Sequence, residues 1–418
     1  MTLASYLDVL EYFFWLAVTV IVYTYAGYPA LMLLWSALPR RKVTMDEGIG
    51  ERVSLIIAAH NEEDAIAAKL ENVLSLDYPT PLLEILIASD GSTDRTNEIV
   101  RRYESRGVRL LALPRRGKAA ALNAAVAESS GDILVFSDAN SMYAPDAMVA
   151  MVKRFADRHV GGVVGNQVYS REGSKSLSSD GERLYWALDR WLKTIQSRAG
   201  NAISATGAIY AIRHRLFLPV PEGVTDDFVT STRVVMQGYR LVFAPDAIAR
   251  EPVAKSSRVE FDRKVRVMTR GLWGVLAVRA LLNPLRYGIY SVQLFSHKVL
   301  RRLVALPLLA ILLISPVLWQ CGTVYQVATV AQVSFYALAL CGLLLRGTSL
   351  GHAKIFTVPF YFCMVNVAAL QATANLLRGN RILLWQPQRV SAARTSRRPT
   401  VTEQDTSLTG KETSPIRS

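Results

Sequence analysis

Apolar residues in this chain are unevenly spread, and their placement limits the architectures open to it. Phe13 to Leu38 is almost uninterrupted apolar sequence, and Leu303 to Trp319, Val324 to Leu345 and Ile355 to Leu377 are three further runs. A helix crossing a bilayer needs on the order of 20 apolar residues, so each run is a candidate span. Between the first and the other three lies a long stretch of ordinary globular composition. The expected organisation is a globular domain inserted between one amino-terminal and about three carboxyl-terminal membrane helices. A cleavable leader is the competing reading of the first run, but it lacks a basic start and a small-residue cleavage site and is too long.

Charge sets the orientation. Arg40, Arg41 and Lys42 follow the first run, and Lys298, Arg301 and Arg302 precede the second. The positive-inside rule therefore places the domain in the cytoplasm. Four crossings would put the tail outside, against Arg378, Arg381, Arg389, Arg394, Arg397 and Arg398. Either the last segment, with Asn366, Gln371 and Asn375 inside it, re-enters, or a further span is hidden around Gly288 to Phe295. The net charge of +14 on 418 residues clusters beside the apolar runs and in the tail. That distribution points to anionic lipid headgroups, not nucleic acid. Cys321, Cys341 and Cys363 lie in or beside the apolar runs without metal-ligand spacing, which argues against structural disulfides. The expected parts are 1–42, the first helix and its basic flank; 50–256, the globular domain; 257–300, amphipathic interfacial helices; 301–380, the terminal membrane helices; and 381–418, a basic tail too polar to order.

Within the domain, short apolar runs alternate with helical spacing. "RVSLIIAAHN", "LEILIASDGSTD", "VRLLALP" and "DILVFSDANSMY" read as strands. "EEDAIAAKLENVLSL", "RTNEIVRRYESRG" (closed by Gly107) and "KAAALNAAVAESSG" (closed by Gly131) read as the helices between them. This rhythm predicts an α/β domain with a mostly parallel sheet covered on both faces. Ligands on such sheets bind at the carboxyl ends of strands, so Asn61, Asp90 and Asp138 should converge.

A Gly-x-Gly-x-x-Gly after the first strand is missing, and "GKAAA" lacks the upstream glycine of a P-loop, which argues against dinucleotide and P-loop enzymes. The five histidines show no metal or triad spacing. What remains are acids: Asp90 and Asp94 in "SDGSTD", Asp138 in "SDAN", and Asp226 with Asp227 in "TDDFVTSTRVVMQG". Each alone is compatible with a turn or a helix start. Together they suggest one site.

"VSLIIAAHNEE", "ASDGSTDRT", "GKAAALNAA", "VFSDAN", "ATGAIYAIR" and "TDDFVTSTRVVMQGYRLVFAP" resemble the successive motifs of family-2 glycosyltransferases, from about Val53 to Gly274. The resemblance is closest to the membrane-embedded group with cellulose, hyaluronan, chitin and poly-N-acetylglucosamine synthases, and "YTYAGYP" and "LFSHKVLRRL" are similar to bacterial exopolysaccharide members. It implies a GT-A fold, a nucleotide-sugar donor (a UDP-sugar), a glycan or lipid-linked acceptor, Mg²⁺ or Mn²⁺, and a multi-pass place in a bacterial inner membrane, with partner subunits of a polysaccharide export system possible. It implies roles too: Asp227 as catalytic base, Asp90, Asn61, Lys118 and Asp138 at the nucleotide sugar, and Asp138 with Asn140 at the metal. Gly207, Ala208 and Asp226 would line the acceptor end. Asn140 stands where this group has a second Asp, yet Mg²⁺ needs only one or two protein carboxylates beside phosphate oxygens.

One motif departs from the pattern. Processive members carry Gln-x-x-Arg-Trp on an interfacial helix, where this chain has Lys264, Val267 and Met268 in "RKVRVMTRG". Arg266 or Arg270 can supply charge to the diphosphate and Trp273 an aromatic surface for the acceptor. Arg263, Lys264, Arg266 and Arg270 can equally form a basic face on lipid headgroups. A single-addition enzyme using a polyprenyl-linked acceptor is thus the alternative to a polymer synthase. A receptor or transporter with a nucleotide-binding domain is the rival from another class, and it would need no base at Asp227.

Overall fold

The strand rhythm closes into one eight-stranded sheet. The computed structural model describes residues 3–39, 41–46, 50–170, 179–252, 257–345 and 348–383. Its strands are β1 Val53–Ala59, β2 Leu83–Asp90, β3 Val108–Leu113, β4 Ile133–Asp138, β5 Met142–Tyr143, β6 Val160–Ser170, β7 Tyr210–Arg213 and β8 Arg240–Pro252. They lie in the order β3-β2-β1-β4-β7-β6-β8-β5. The β3-β2-β1-β4 half is entirely parallel. β7 runs against both β4 and β6, β5 runs against β8, and β6 and β8 are parallel.

Alternation along the strands builds two cores. Leu55, Ile57 and Ala59 of β1 meet Ile66, Leu70 and Val73 of the Ile66–Leu74 helix. Ile56 and Ala58 point the other way, to Ala119, Leu122 and Ala125 of the Lys118–Ala127 helix. With side chains alternating between faces and both faces covered, β1 is apolar at every position but Ser54. The second core extends to Val275, Tyr290 and Leu294, and the Tyr290 hydroxyl donates to the Ile203 carbonyl at 2.9 Å. The domain is therefore seated on the helices that follow it. The Lys118–Ala127 helix stops short of Gly131, which does not close it. A side chain at Gly131 would lie 2.5 Å from the Ser54 backbone nitrogen, so that glycine serves the close approach of β1.

The first apolar run is one helix over Ser5–Ser36, and Thr323–Leu344 and Lys354–Leu377 are also long and apolar enough to cross a membrane. The second run is a short helix, Ala305–Val317, bent by 46° from Ile289–Leu303. Gly288 to Phe295 does not form a long helix of its own. It begins the first leg of this bent pair, with Tyr290, Ser291, Gln293 and Leu294 buried. Phe14 packs on Ile311 and Tyr325, whereas Tyr28 and Met32 pack on Leu192 and Ile195 of the Ser179–Arg198 helix. Bonds of Thr329 to Ser315 and of Gln332 to Leu308 make Thr323–Leu344 antiparallel to Ala305–Val317.

The last helix takes a different course. Phe360, Tyr361 and Met364 pack against Phe261, and Asn375 bonds Thr269 at 3.3 Å. It follows the Ser257–Ala277 helix and ends on the domain, where Trp273 Nε1 donates to the Asn380 carbonyl at 3.0 Å. The tail expected to lack order lies outside the described residues from 384 onward.

Candidate active site

Because β1, β2 and β4 are neighbouring parallel strands, their carboxyl ends share one edge of the sheet. Asp138 closes β4, and Asp226 and Asp227 open the Asp226–Met236 helix. Lys118, the first residue of its helix, joins them. Its Nζ lies 2.7 Å from Asp138 Oδ1 and 3.0 Å from Asp226 Oδ2. At 10% side-chain exposure it is no solvated first-turn lysine. Burial opposes its charge, but Asp138 and Asp226 more than offset that and raise its pKa.

The two adjacent acids are driven apart. Burial works against ionisation of Asp226, yet Lys118 and Arg270 override it and hold its pKa below the usual value. Asp227 is pushed up to about 7, by burial first and then by the Asp226 charge, with Lys118 opposing. Its Oδ1 accepts the Phe228 N–H at 2.7 Å. Two carboxyls held in opposite protonation preference are a common acid–base arrangement.

Asp90 and Asn61 reach the same edge, and each shapes a turn there. Asp90 is 1% exposed; it accepts from the Arg116 and Gly117 N–H groups at 2.7 and 2.9 Å and pairs with Arg115. Gly117 has φ 98°, a conformation that glycine tolerates and other residues rarely adopt. Asp90 thereby fixes the turn that launches Lys118. Asn61, itself at φ 56°, accepts from the Thr93 and Asp94 N–H groups at 2.7 and 3.3 Å. Asp94 belongs to the fold, since it accepts from the Thr96 N–H at 3.0 Å and from Glu63 at 3.2 Å.

The Gly207 carbonyl accepts the Asp138 N–H at 3.0 Å, and a side chain at Gly207 would lie 2.7 Å from Asp138 Oδ2. Gly207 is thus required for the carboxylate to sit where it does. Ala208 is buried in the core, 1% exposed, and lines nothing. Asn140 is exposed, and the Asp138 side chain is 30% exposed. One part-exposed carboxylate and one exposed amide suit a hard cation whose remaining ligands are phosphate oxygens and water. Among the described residues no group of three or more His, Cys, Asp or Glu could hold a metal alone.

The interfacial helix departs from the lipid-facing reading. Arg270 is 6% exposed and its Nε donates to the Val224 carbonyl at 3.0 Å, two residues before Asp226. Arg263 and Lys264 pair with Glu260, itself 1% exposed, at 2.7 and 3.0 Å. Arg266 is half-buried, with a pKa lowered by burial and by Arg270 and Arg263. Trp273 does not present an open surface: Asn380 bonds its indole, and the Arg381 guanidinium lies 4.4 Å from its ring centre. From there the chain crosses to Leu383, whose carbonyl approaches Gly117 and whose side chain approaches Gly223. This strap joins the Lys118 side of the cleft to the Asp226 side. No signal in the sequence announces it. Arg115 was also missed, although an Arg-Arg-Gly before a helix start beside an acidic strand end is a readable cue.

Residues 54–218 match the family described as Glycosyl transferase family 2. This segment is a family 2 glycosyltransferase domain. A poly-beta-1,6-N-acetyl-D-glucosamine synthase of Staphylococcus aureus (strain MSSA476) is 29% identical over 205 residues, 47% of this chain and 49% of its own. The synthase of the same name from Staphylococcus epidermidis is 26% identical over 244 residues, 55% of this chain and 59% of its own. The chain thus spans about half the length of the curated relatives it matches. Among solved structures, the mannosyltransferase PcManGT from Pyrobaculum calidifontis, in complex with GDP-Man and Mn²⁺, superposes with a TM-score of 0.66 at 24% identity. The match covers 87% of this chain and 99% of that one, and the family 2 domain has the expected GT-A fold.

Proposed function

We propose that this chain moves a sugar from a nucleoside-diphosphate donor, a UDP-sugar in the first instance, to a hydroxyl of a growing polysaccharide, with inversion. The setting is the cytoplasmic face of a bacterial inner membrane, in exopolysaccharide or cell-surface glycan synthesis. The observation that carries this is Asp227: within a family 2 domain, it is a carboxyl raised to about 7 beside Asp226, Lys118 and Asp138. A base of that proton affinity is matched to taking a hydroxyl proton near neutral pH. As the acceptor oxygen bonds to the anomeric carbon, the bond to the diphosphate oxygen breaks, and Asp227 takes the hydroxyl proton. Lys118 presents its charge to the phosphates, and Arg270 and Arg266 add positive charge from the interfacial helix. Asp90 acts through the Arg115–Gly117 turn and Asn61 through the Thr93–Asp94 turn, so both shape the nucleotide end. A divalent cation, held by Asp138 with Asn140 beside it, would neutralise charge on the leaving diphosphate. The names of the staphylococcal relatives favour an N-acetylglucosamine donor and a polymer product.

Single addition to a polyprenyl-linked acceptor has one observation in its favour. Lys298 Nζ lies 5.6 Å from the Phe228 ring, next to Asp227, and the Arg302 guanidinium packs over Gly271, next to Arg270. Cations gathered there, on the membrane side of the base, suit an acceptor that carries phosphate.

For the topology, the reading is three crossings: Ser5–Ser36, the bent pair and Thr323–Leu344. The last helix folds back along the domain, because its carboxyl end bonds Trp273. Arg378 and Arg381 then lie on the domain's side, as the positive-inside rule asks.

The test is to incubate membranes holding the chain with a panel of UDP-sugars and Mg²⁺ or Mn²⁺, and to size the product. Long polymer from one sugar supports the synthase, one sugar on lipid supports the alternative, and no turnover with any donor sinks the enzyme reading.

A further inference from the structure

Beneath the turn that carries Asp138 and Asn140 lies a buried polar cluster that the transfer reaction does not use. Lys69, on the Ile66–Leu74 helix, is fully buried. Its ammonium donates to the Ser141 carbonyl and lies 3.9 Å from the centre of the Tyr143 ring. Ser141, also fully buried, donates its hydroxyl to Glu251 Oε1, while Glu251 Oε2 accepts from Gln167 Nε2 at 2.6 Å. Asn72, one turn beyond Lys69, holds the Tyr143 backbone from both sides: it accepts the N–H at 2.7 Å and donates to the carbonyl at 2.9 Å. Gln167 and Glu251 stand on β6 and β8, two strands that pair with each other. A helix therefore grips the turn from one side and two strands from the other.

This arrangement is expensive. Removing an ammonium and a carboxylate from water costs free energy before any compensation, and apolar side chains of similar size often fill such a space at no loss of stability. Burial pushes Lys69 down to about 7 against the pull of Asp138 and Glu251, and it pushes Glu251 upward with help from Asp138. What the two groups gain is direction. Both bond the same residue, Ser141, one through its carbonyl and one through its hydroxyl. Ser141 directly follows Asn140 and stands three residues after Asp138. Fixing it at two points fixes the rotation of the turn, and so where the Asp138 and Asn140 oxygens point. Residues that orient a ligand from behind in this way can matter nearly as much as the ligand itself.

We infer that Glu251 and Lys69 are positioning residues of the donor site, which hold the Asp138–Ser141 turn in the form that receives a diphosphate-bound divalent cation. The inference rests on the glycosyltransferase reading above and adds to it two residues lying 182 positions apart in the chain.

The experiment needs no turnover. The full chain in detergent is titrated with Mn²⁺ in the presence of UDP, and free Mn²⁺ is read by electron paramagnetic resonance, with the melting temperature recorded alongside. Glu251→Ala and Ser141→Ala should each weaken Mn²⁺ binding about 10-fold or more. Glu251→Gln, which keeps an acceptor for the Ser141 hydroxyl, should stay close to the wild type. Ser141→Ala deletes one oxygen from a buried site and so keeps the test usable if Glu251→Ala fails to fold. Val73→Ala, a core change on the same helix, supplies a destabilised control. Wild-type Mn²⁺ binding in Ser141→Ala and in whatever folded Glu251→Ala is obtained would overturn the inference. So would weakening of equal size in Val73→Ala, since the effect would then follow stability alone. A wild-type chain that binds no Mn²⁺ with UDP or any other nucleoside diphosphate removes the donor-site reading itself, and the inference with it. Normal wild-type binding with unaffected variants removes the inference only.

Discussion

Replacing Asp227 by Asn keeps the size of the side chain and deletes its charge, and the structure assigns opposite signs to the two consequences. An Asp whose pKa moves from 3.8 to about 7 carries about 4 kcal/mol against its ionised form. The folded state holds this proton more tightly than the unfolded state does. The contribution to stability is therefore greatest below pH 4, falls as pH rises from 3.8 to about 7, and stays low above that. Asn carries no such penalty, so Asp227→Asn should stabilise the fold at pH 8, by up to about 4 kcal/mol, and by progressively less as pH falls to 5. Each kcal/mol moves the melting temperature of a domain of this size by about 2–4 °C, so a rise of several degrees is expected. Transfer should fall by about 10²–10⁴, the usual contribution of general base catalysis. Wild-type transfer should itself climb with pH through about 7 as the base loses its proton. The assay is thermal unfolding of the detergent-solubilised chain by tryptophan fluorescence at pH 5 to 8, with transfer measured on the same preparations. An Asp227→Asn variant that keeps transfer, or a melting difference independent of pH, would refute the reasoning.

Other perturbations separate the remaining parts of the site. Lys118→Met leaves Asp138 and Asp226 facing each other without their cation. It should cost about 3–5 kcal/mol and raise the donor KM, both readable from melting and initial rates. Trp273→Ala removes two of the contacts that hold the Asn380–Leu383 strap, the indole bond to Asn380 and the ring under Arg381, and should accelerate UDP release in the absence of acceptor; an unchanged release rate removes the strap from the reaction cycle. Cys321 is exposed in the short turn between Ala305–Val317 and Thr323–Leu344. A membrane-impermeant maleimide should label it on intact cells while a carboxyl-terminal tag stays protected, and labelling of both would mean four crossings.

The parallel half of the sheet was legible because each of its strands is a short apolar run ending in a polar turn, separated from the next by helical spacing. That alone brought Asp90, Asn61 and Asp138 to one edge. Lys118 was not decidable, since a first-turn lysine looks the same whether it is solvated or clamped between two carboxylates. Lys69 and Glu251 were invisible for a related reason: each resembles an ordinary surface charge, on a helix and a strand far apart in sequence, until the fold buries both beneath Ser141. The course of the last helix was beyond hydropathy, which measures length and polarity. It carries no information on whether a helix such as Lys354–Leu377 packs on lipid or along the Ser257–Ala277 helix. Of the two roles the sequence left open for the basic residues of this helix, a face on headgroups leaves out Glu260, which pairs with Arg263 and Lys264.

Asn140 can now be placed in the charge balance of the whole cleft. Asp138, Asp226 and Asp227 already face Lys118 and Arg270, and the Asp138 charge is one of the forces that raise Asp227. A carboxylate at position 140, two residues further along the same turn, would act on Asp227 in the same direction. It would bind a cation more tightly, but until the cation arrived it would push the base above neutrality, where it keeps its proton. A neutral oxygen there keeps the base usable near pH 7 and leaves the diphosphate to supply the missing negative charge for the metal. Asn140→Asp should therefore tighten Mn²⁺ binding and leave transfer intact at saturating metal. At low metal its pH–rate profile should move to higher pH. A profile that stays in place at low metal would mean that residue 140 lies outside the field of the base.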